Sequence, residues 1–278
     1  MCNIKEFKES RHASGSTGGM MNGMMNGIKF MIDMYVSGIV YAACLVFVAG
    51  FLCKIYYGYY KTPQPLKIPQ TPQPTTLSGV IMRMAGDVFF FRSLAKGTTL
   101  LFIAGWVFHF TFFLMIIRHL RYFVNPVPGF IIALGNGALA IASLLMVALV
   151  VLFLRRFINK KVNYVSSFAD YFVLLLIMGI VQSGIMLHYE RFRPNIIEGK
   201  AFMLELLELK TPFLVMIMHP HHAPGNSLFI THLSLVALLL IYFPFSKLMH
   251  AGGYFFSPTR NMINNAREVR YINPWDKG

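Results

Sequence analysis

Acidic residues are scarce: Asp and Glu number 11 in 278, and charged residues of both signs make up 13% of the chain. That is too little charge to coat a soluble protein, in which about a quarter of residues are charged. Cysteine is nearly absent as well. Cys2, Cys44 and Cys53 form no CxxC pair, which removes the usual cysteine metal sites, and no CxxCH occurs, which removes covalently attached haem. Cys44 and Cys53 fall in an apolar run and read as small packing residues. Cys2 has no apolar run before it, so no lipoprotein-type signal is visible. The first apolar stretch begins too far along for an ordinary signal peptide and has no small-residue cleavage site after it, so a retained helix is expected.

Apolar side chains fill the space that charge leaves. They form 56% of the chain, and the mean hydropathy is +0.56. Five runs are long enough to cross about 30 Å of hydrocarbon at about 20 residues each, near 34–58, 97–121, 129–154, 167–188 and 227–250. The expected fold is an all-α, polytopic membrane protein. Its net charge of +14 does not imply nucleic acid, because the basic residues sit between the apolar runs, where they hold loops on the cytoplasmic side. With five spans, the N-terminal tail, the 119–128 turn and the 189–226 loop share one face and carry ten of the 25 Lys and Arg. The other face carries fifteen, including Arg155, Arg156, Lys160 and Lys161. The N-terminus is therefore expected outside and the C-terminus inside, in the cytoplasmic (inner) membrane of the cell.

Composition divides the chain further. Residues 1–27 end in a Gly/Met/Asn-rich stretch and read as a flexible tail, and 28–60 hold the first span. Residues 61–76 carry five prolines and suit a semi-rigid spacer. Within 77–96, Val80, Met84, Val88 and Phe91 fall at helical spacing with Arg83 and Asp87 on another face. This suits a helix on the membrane surface or packed on a partner. Residues 97–250 form a four-helix bundle with the long loop 189–226, which suits a lid over the outer end. Residues 251–278 are rich in Arg, Asn, Pro and aromatics and read as a cytoplasmic docking tail, with Tyr254, Phe255, Phe256 and Trp275 as anchors. A lipid-facing or disordered tail is the plainer alternative.

Four histidines carry the chemistry. An ionisable group inside a span is costly and needs a reason. His109 and His119 share the second span, ten residues or about 15 Å of rise apart. His232 and His250 are eighteen apart, a whole number of turns, and are expected on one face of the last span. Antiparallel spans then set His109 level with His250 on the cytoplasmic side, and His119 level with His232 on the outer side. Two levels with one imidazole from each helix suit two bis-histidine haems b. The rise of about 27 Å between His232 and His250 exceeds that of the partner helix, and Pro244 permits a kink. A proton-relaying transporter is another reading of intramembrane histidines, although no internal repeat supports it. A haem-free anchor for a soluble redox partner is a third.

WVFHFTFFLMIIRHL, with histidines ten apart, and THLSLVALLLIYFPFSKLMH, with histidines eighteen apart, resemble the respiratory nitrate reductase gamma subunit family of di-haem cytochromes b. The stretches DVFFFRSLAKG, RHLRYF and FFSPTRNMINNAREVRYINPWDKG resemble more closely the membrane cytochrome b subunits of dissimilatory sulfite-reductase-associated (Dsr) complexes. Together these matches cover roughly 34–278, leaving the Gly/Met-rich N-terminus unexplained. The resemblance implies that His109 and His250 hold one haem and His119 and His232 the other. It also implies menaquinone or another quinone as substrate, and a cytoplasmic iron–sulfur (heterodisulfide-reductase-like) subunit as partner. Further membrane and outer-side cytochrome subunits are left open. The chain would then be the quinone-reactive electron-transfer subunit of a membrane oxidoreductase complex in sulfur metabolism, with electron direction unspecified.

One departure concerns the quinone site. The nitrate-reductase branch has a glycine before the outer histidine and a lysine beyond it, whereas here Arg118 precedes His119 and the turn NPVPGF has no lysine. Arg118 and Arg121 are the candidates for the polar lining of such a site, with interfacial anchoring as the alternative role. His219, His221 and His222 flank Pro220 in an outer-loop tract without the spacing of a zinc site. Glu190 and Glu198 are candidate proton acceptors or plain solvated charges, and Asp170 reads as a helix-start residue.

Overall fold

A computed structural model describes residues 19–61, 73–189, 192, 196–210, 223–265 and 267–270. The described residues contain helices and turns and no strand. Five helices are long and apolar enough to cross a membrane: Met34–Gly58, Thr99–Tyr122, Ala138–Ile158, Phe168–Met186 and Ser227–Phe245. Their outward faces carry the large apolar side chains, such as Leu45, Val147 and Phe113, all exposed. A soluble bundle hides such residues; a bundle solvated by hydrocarbon does not need to.

The main helices are α1 (Gly19–Ile55), α2 (Leu77–Phe90), α3 (Thr99–His119), α4 (Ala138–Ile158), α5 (Phe168–Met186), α6 (Ile196–Leu207), α7 (Ala223–Tyr242) and α8 (His250–Phe256). Packing runs in sequence from α3 to α4, α4 to α5, α5 to α7 and α7 to α1. Leu145, Leu149, Ile177 and Val181 form the buried centre between α4 and α5, flanked by Phe108 and Phe112 of α3 and Leu239 of α7. A second cluster, Val36, Phe202 and Leu206, packs with Phe229 and Leu233 and fixes α6 against α1 and α7. The Tyr41 hydroxyl of α1 reaches the carbonyls of Leu206 and Lys210 at 3.2 and 2.5 Å. The described part of the 189–226 loop is thus a helix folded onto the bundle end.

Three expectations change. The first helix reaches back to Gly19, so residues 19–27 are helical; methionine is a good helix former and the spaced glycines do not break the ladder. The third span begins at Ala138 because a short helix, Gly129–Ala133, ends in the turn Leu134–Gly137. His232 and His250 do not share one helix. α7 stops at Tyr242, two 3-10 turns follow over Phe243–Phe245 and Lys247–Met249, and His250 opens α8. Pro244 supplies no amide hydrogen to the ladder, Ser246 is extended (φ −112°, ψ 172°), and its hydroxyl accepts from the Leu248 amide. The chain is reset there, not merely bent.

Candidate functional site

The four histidines meet in two pairs. His119, the last residue of α3, and His232 in α7 have ring centres 6.3 Å apart and ring planes 13° apart. His109 in α3 and His250 at the start of α8 have centres 6.1 Å apart and planes at 86°. The break at Ser246 makes the second pair possible. A straight α7 would carry His250 about 27 Å beyond His232, while His109 and His119 are separated by only ten residues of helix.

Each imidazole is oriented by a second contact. His109 Nδ1 lies 2.7 Å from the Gly105 carbonyl, His119 Nδ1 2.6 Å from that of Met115, and His250 Nδ1 2.8 Å from that of Lys247. A carbonyl only accepts, so Nδ1 carries the proton in these three rings and Nε2 keeps its lone pair. His232 Nδ1 instead lies 2.9 Å from the Ser183 hydroxyl oxygen. That hydroxyl donates to the Ile180 carbonyl at 2.9 Å, which leaves its oxygen to accept from His232. All four rings therefore share one tautomer, with Nε2 as the free ligand nitrogen. Fixing the tautomer through the far nitrogen is how metal-ligating histidines are held.

The spacing fits one metal ion per pair. Two imidazoles bound on opposite sides of an ion, with metal–nitrogen bonds of about 2 Å, have ring centres about 6.3 Å apart. Among the described residues no three His, Cys, Asp or Glu side chains converge as they would on a bare ion. Two axial imidazoles suffice where a macrocycle supplies the other ligands, as in haem. The donor set fits haem at both levels.

Surroundings differ between the levels. Gly184 lies under His232: a Cβ there would come within 3.3 Å of the ring. Beside His119 is a cavity of about 400 Å³, lined by Arg118, Arg121, Tyr122, Asn136 and His188 among others. Arg118 donates to the Ile131 carbonyl at 3.1 Å, and Arg121 stacks on the Tyr122 ring at 5.3 Å. Both expected cations thus border the cavity while tied to the chain. At the other level Phe91 packs its ring 4.9 Å from His109, from a left-handed backbone (φ 49°, ψ 39°) between α2 and the short helix Arg92–Ala95. A bulky residue there costs about 1–2 kcal/mol, offset by placing the ring.

Beyond His250 the chain closes on itself. Asp87 accepts from Tyr254 at 2.8 Å, Arg83 at 3.4 Å and the Ser93 amide at 3.2 Å. Arg83 also donates to the Arg260 carbonyl, and Arg260 stacks on Tyr254 at 5.0 Å. Burial and the Asp87 carboxylate hold the Tyr254 phenol above its usual pKa, so it stays a donor. Arg83 and Asp87 of α2 are thus engaged within the chain, and Val80 of the apolar face is buried as well. Tyr254, expected as an anchor for another protein, is used within the chain. His219, Pro220, His221, His222, Glu190 and Trp275 lie outside the described residues, as does the side chain of Glu198.

Sequence reading alone gave no role at the histidine pairs to Ser183, Gly184, Phe91 and Lys247. Their partners are distant in sequence or are single rings, and no local motif marks them.

Five apolar helices with histidines paired at two levels define a class, the multi-pass helical membrane protein with paired histidines. The Nitrate reductase gamma subunit family matches residues 74–270, and the chain belongs to that family. It is 33% identical to the Hdr-like menaquinol oxidoreductase cytochrome b-like subunit of Archaeoglobus fulgidus, over 85% of this chain and 81% of the relative. It is 30% identical to the protein of the same description from Archaeoglobus profundus, with the same two coverages.

Proposed function

We infer that the chain is a membrane cytochrome b subunit that relays electrons between the quinone pool and a cytoplasmic iron–sulfur subunit of heterodisulfide-reductase type. The observation that carries this is the pairing of four imidazoles, each with Nδ1 engaged, at two levels and at the separation one metal ion spans. His119 and His232 would hold the haem b nearer the outer face, His109 and His250 the one nearer the cytoplasm. When bound, the haems supply reversible one-electron chemistry, tuned by ligand and burial.

The chain's own residues shape where substrate reacts. Arg118, Arg121, Tyr122 and Asn136 give the cavity beside His119 a donor-rich wall, suited to the oxygen atoms of a quinone. His188, on the same wall, is placed to take a proton from a quinol hydroxyl at that face. Menaquinone is the quinone proposed, since both relatives are named menaquinol oxidoreductase subunits. The resemblance of RHLRYF and of the C-terminal stretch to Dsr-associated cytochromes supports a place in a sulfur-metabolism complex. The distribution of Lys and Arg supports a cytoplasmic-membrane location with the N-terminus outside.

The test is optical. A menaquinol analogue added anaerobically to membranes holding the oxidised protein should raise a b-type absorption band. Arg121→Ala should slow that reduction while leaving dithionite-reducible haem unchanged. A band that dithionite raises and quinol never does would overturn the quinone assignment.

A further inference from the structure

His250 begins α8 immediately after an irregular turn, a poor place to fix a ligand. Two carboxylates compensate. Three residues before it, Lys247 extends its ammonium 2.8 Å to Asp170 Oδ2, at the start of α5. The backbone carbonyl of the same Lys247 accepts from His250 Nδ1. The Asp170 side chain is only 4% exposed. It also accepts from the Ser167 amide at 3.0 Å and hydroxyl at 3.2 Å, with Arg156 of α4 at 3.9 Å. Four residues after His250, Tyr254 donates to Asp87, which holds α2 and the Ser93 amide. Tyr254 lies on the same side of α8 as His250, and Lys247 reaches that histidine through its carbonyl. The ligand is thus gripped on both sides along the chain, from two different helices.

We propose that Asp170 and Asp87 are positioning residues that fix His250 as an axial ligand, Asp170 through Lys247 and Asp87 through Tyr254. The helix-start role expected of Asp170 is real, but it does not account for its burial under a lysine 77 positions away. A carboxylate serving only to begin α5 needs the Ser167 amide alone. One that also fixes Lys247 sets the direction of the carbonyl to which His250 Nδ1 donates. Among the described residues no comparable ion-paired brace holds His232, which is carried within a continuous helix with Ser183 behind it.

The proposal rests on His250 being a haem ligand, and the experiment separates the two claims. Haem content and low-spin EPR are measured on the purified full-length chain, wild type and with Asp170→Asn, Lys247→Arg, Tyr254→Phe and His250→Ala. His250→Ala should remove one signal and identify it. Asp170→Asn should shift or broaden that same signal, or lower its occupancy, with the other signal unchanged. Lys247→Arg, which keeps the ion pair, should restore wild-type behaviour. Tyr254→Phe, which removes one hydroxyl, should perturb the same signal less. If Asp170→Asn and Tyr254→Phe both leave the His250-dependent signal unaltered, or if Asp170→Asn disturbs both signals equally, the positioning role is wrong while the ligand assignment stands. Two signals persisting in His250→Ala would overturn both claims.

Discussion

His119 and His232 face each other with nearly parallel rings, whereas His109 and His250 meet at a right angle, although the two pairs span almost the same distance. The first pair is held by continuous helices: His232 lies within α7, with one hydroxyl behind it and a glycine beneath it. The second is assembled from pieces, namely a broken span, an ion pair across helices, a strained phenylalanine and a short helix packed on α1. Equal spacing reached by such different means indicates that the spacing itself is what the chain maintains. It also indicates that the two levels should fail under different substitutions.

The largest expected effect is at Gly252, two residues past His250. A Cβ there would clash with the Phe51 ring of α1, and one of the two would have to shift. Gly252→Ala should push α8 away from α1 and abolish haem at the His109/His250 level alone, read as haem per chain falling from about two to about one. Loss of both haems would mean that the levels are not independent.

Ser183→Ala should act on the other level. It removes the hydroxyl that His232 Nδ1 faces, and loss of such a supporting contact typically costs about 10- to 100-fold in metal affinity. Retention of the His232-dependent haem under dilution or mild detergent should drop by that order, with the His250-dependent haem unaffected. The remaining histidines are immune to this kind of substitution, because their acceptors are backbone carbonyls.

Ring orientation gives a subtler contrast. Parallel imidazoles interact with the same iron d orbital and split it from its neighbour; perpendicular ones interact with one orbital each and leave the two nearly equal in energy. With haem bound at both levels, the oxidised protein should therefore show two distinct low-spin EPR signals, the more anisotropic one vanishing in His250→Ala and the more rhombic one vanishing in His232→Ala and weakened in Ser183→Ala. The smallest effect is expected at Gly184, where an added Cβ would be 3.3 Å from His232 Cε1 and a few tenths of an ångström of give would suffice. Gly184→Ala should shift the rhombic signal slightly without loss of haem.

The five spans were legible because long apolar runs leave few alternatives, and four of the five lie within a few residues of where the sequence puts them. The third start was obscured by Gly135, Asn136 and Gly137, turn-forming residues set inside an otherwise apolar run. Pairing of the histidines was legible from the antiparallel order of their spans, although their spacing along one helix was not kept, and Pro244 was a visible signal of disruption. Its extent was not, because the residue after Ser246, Lys247, is bound to Asp170 of another helix, a contact no local pattern shows. Asp170 shows the same limit: its helix-start pattern is local and readable, whereas its bond to Lys247 exists only once α5 and the end of α7 are side by side. The charges of α2 were visible too, but that they face inward depends on Tyr254 and Arg260 folding back from the end of the chain.

The central claim is that two independent histidine pairs each hold one haem b. Pyridine haemochrome quantitation on the purified chain and on the four single His→Ala variants tests it directly. The account predicts about two haems b per wild-type chain and about one in each variant, with His109→Ala and His250→Ala losing the same EPR signal and His119→Ala and His232→Ala losing the other. A well-folded wild-type chain without haem, or variants that lose signals in any other grouping, would contradict it.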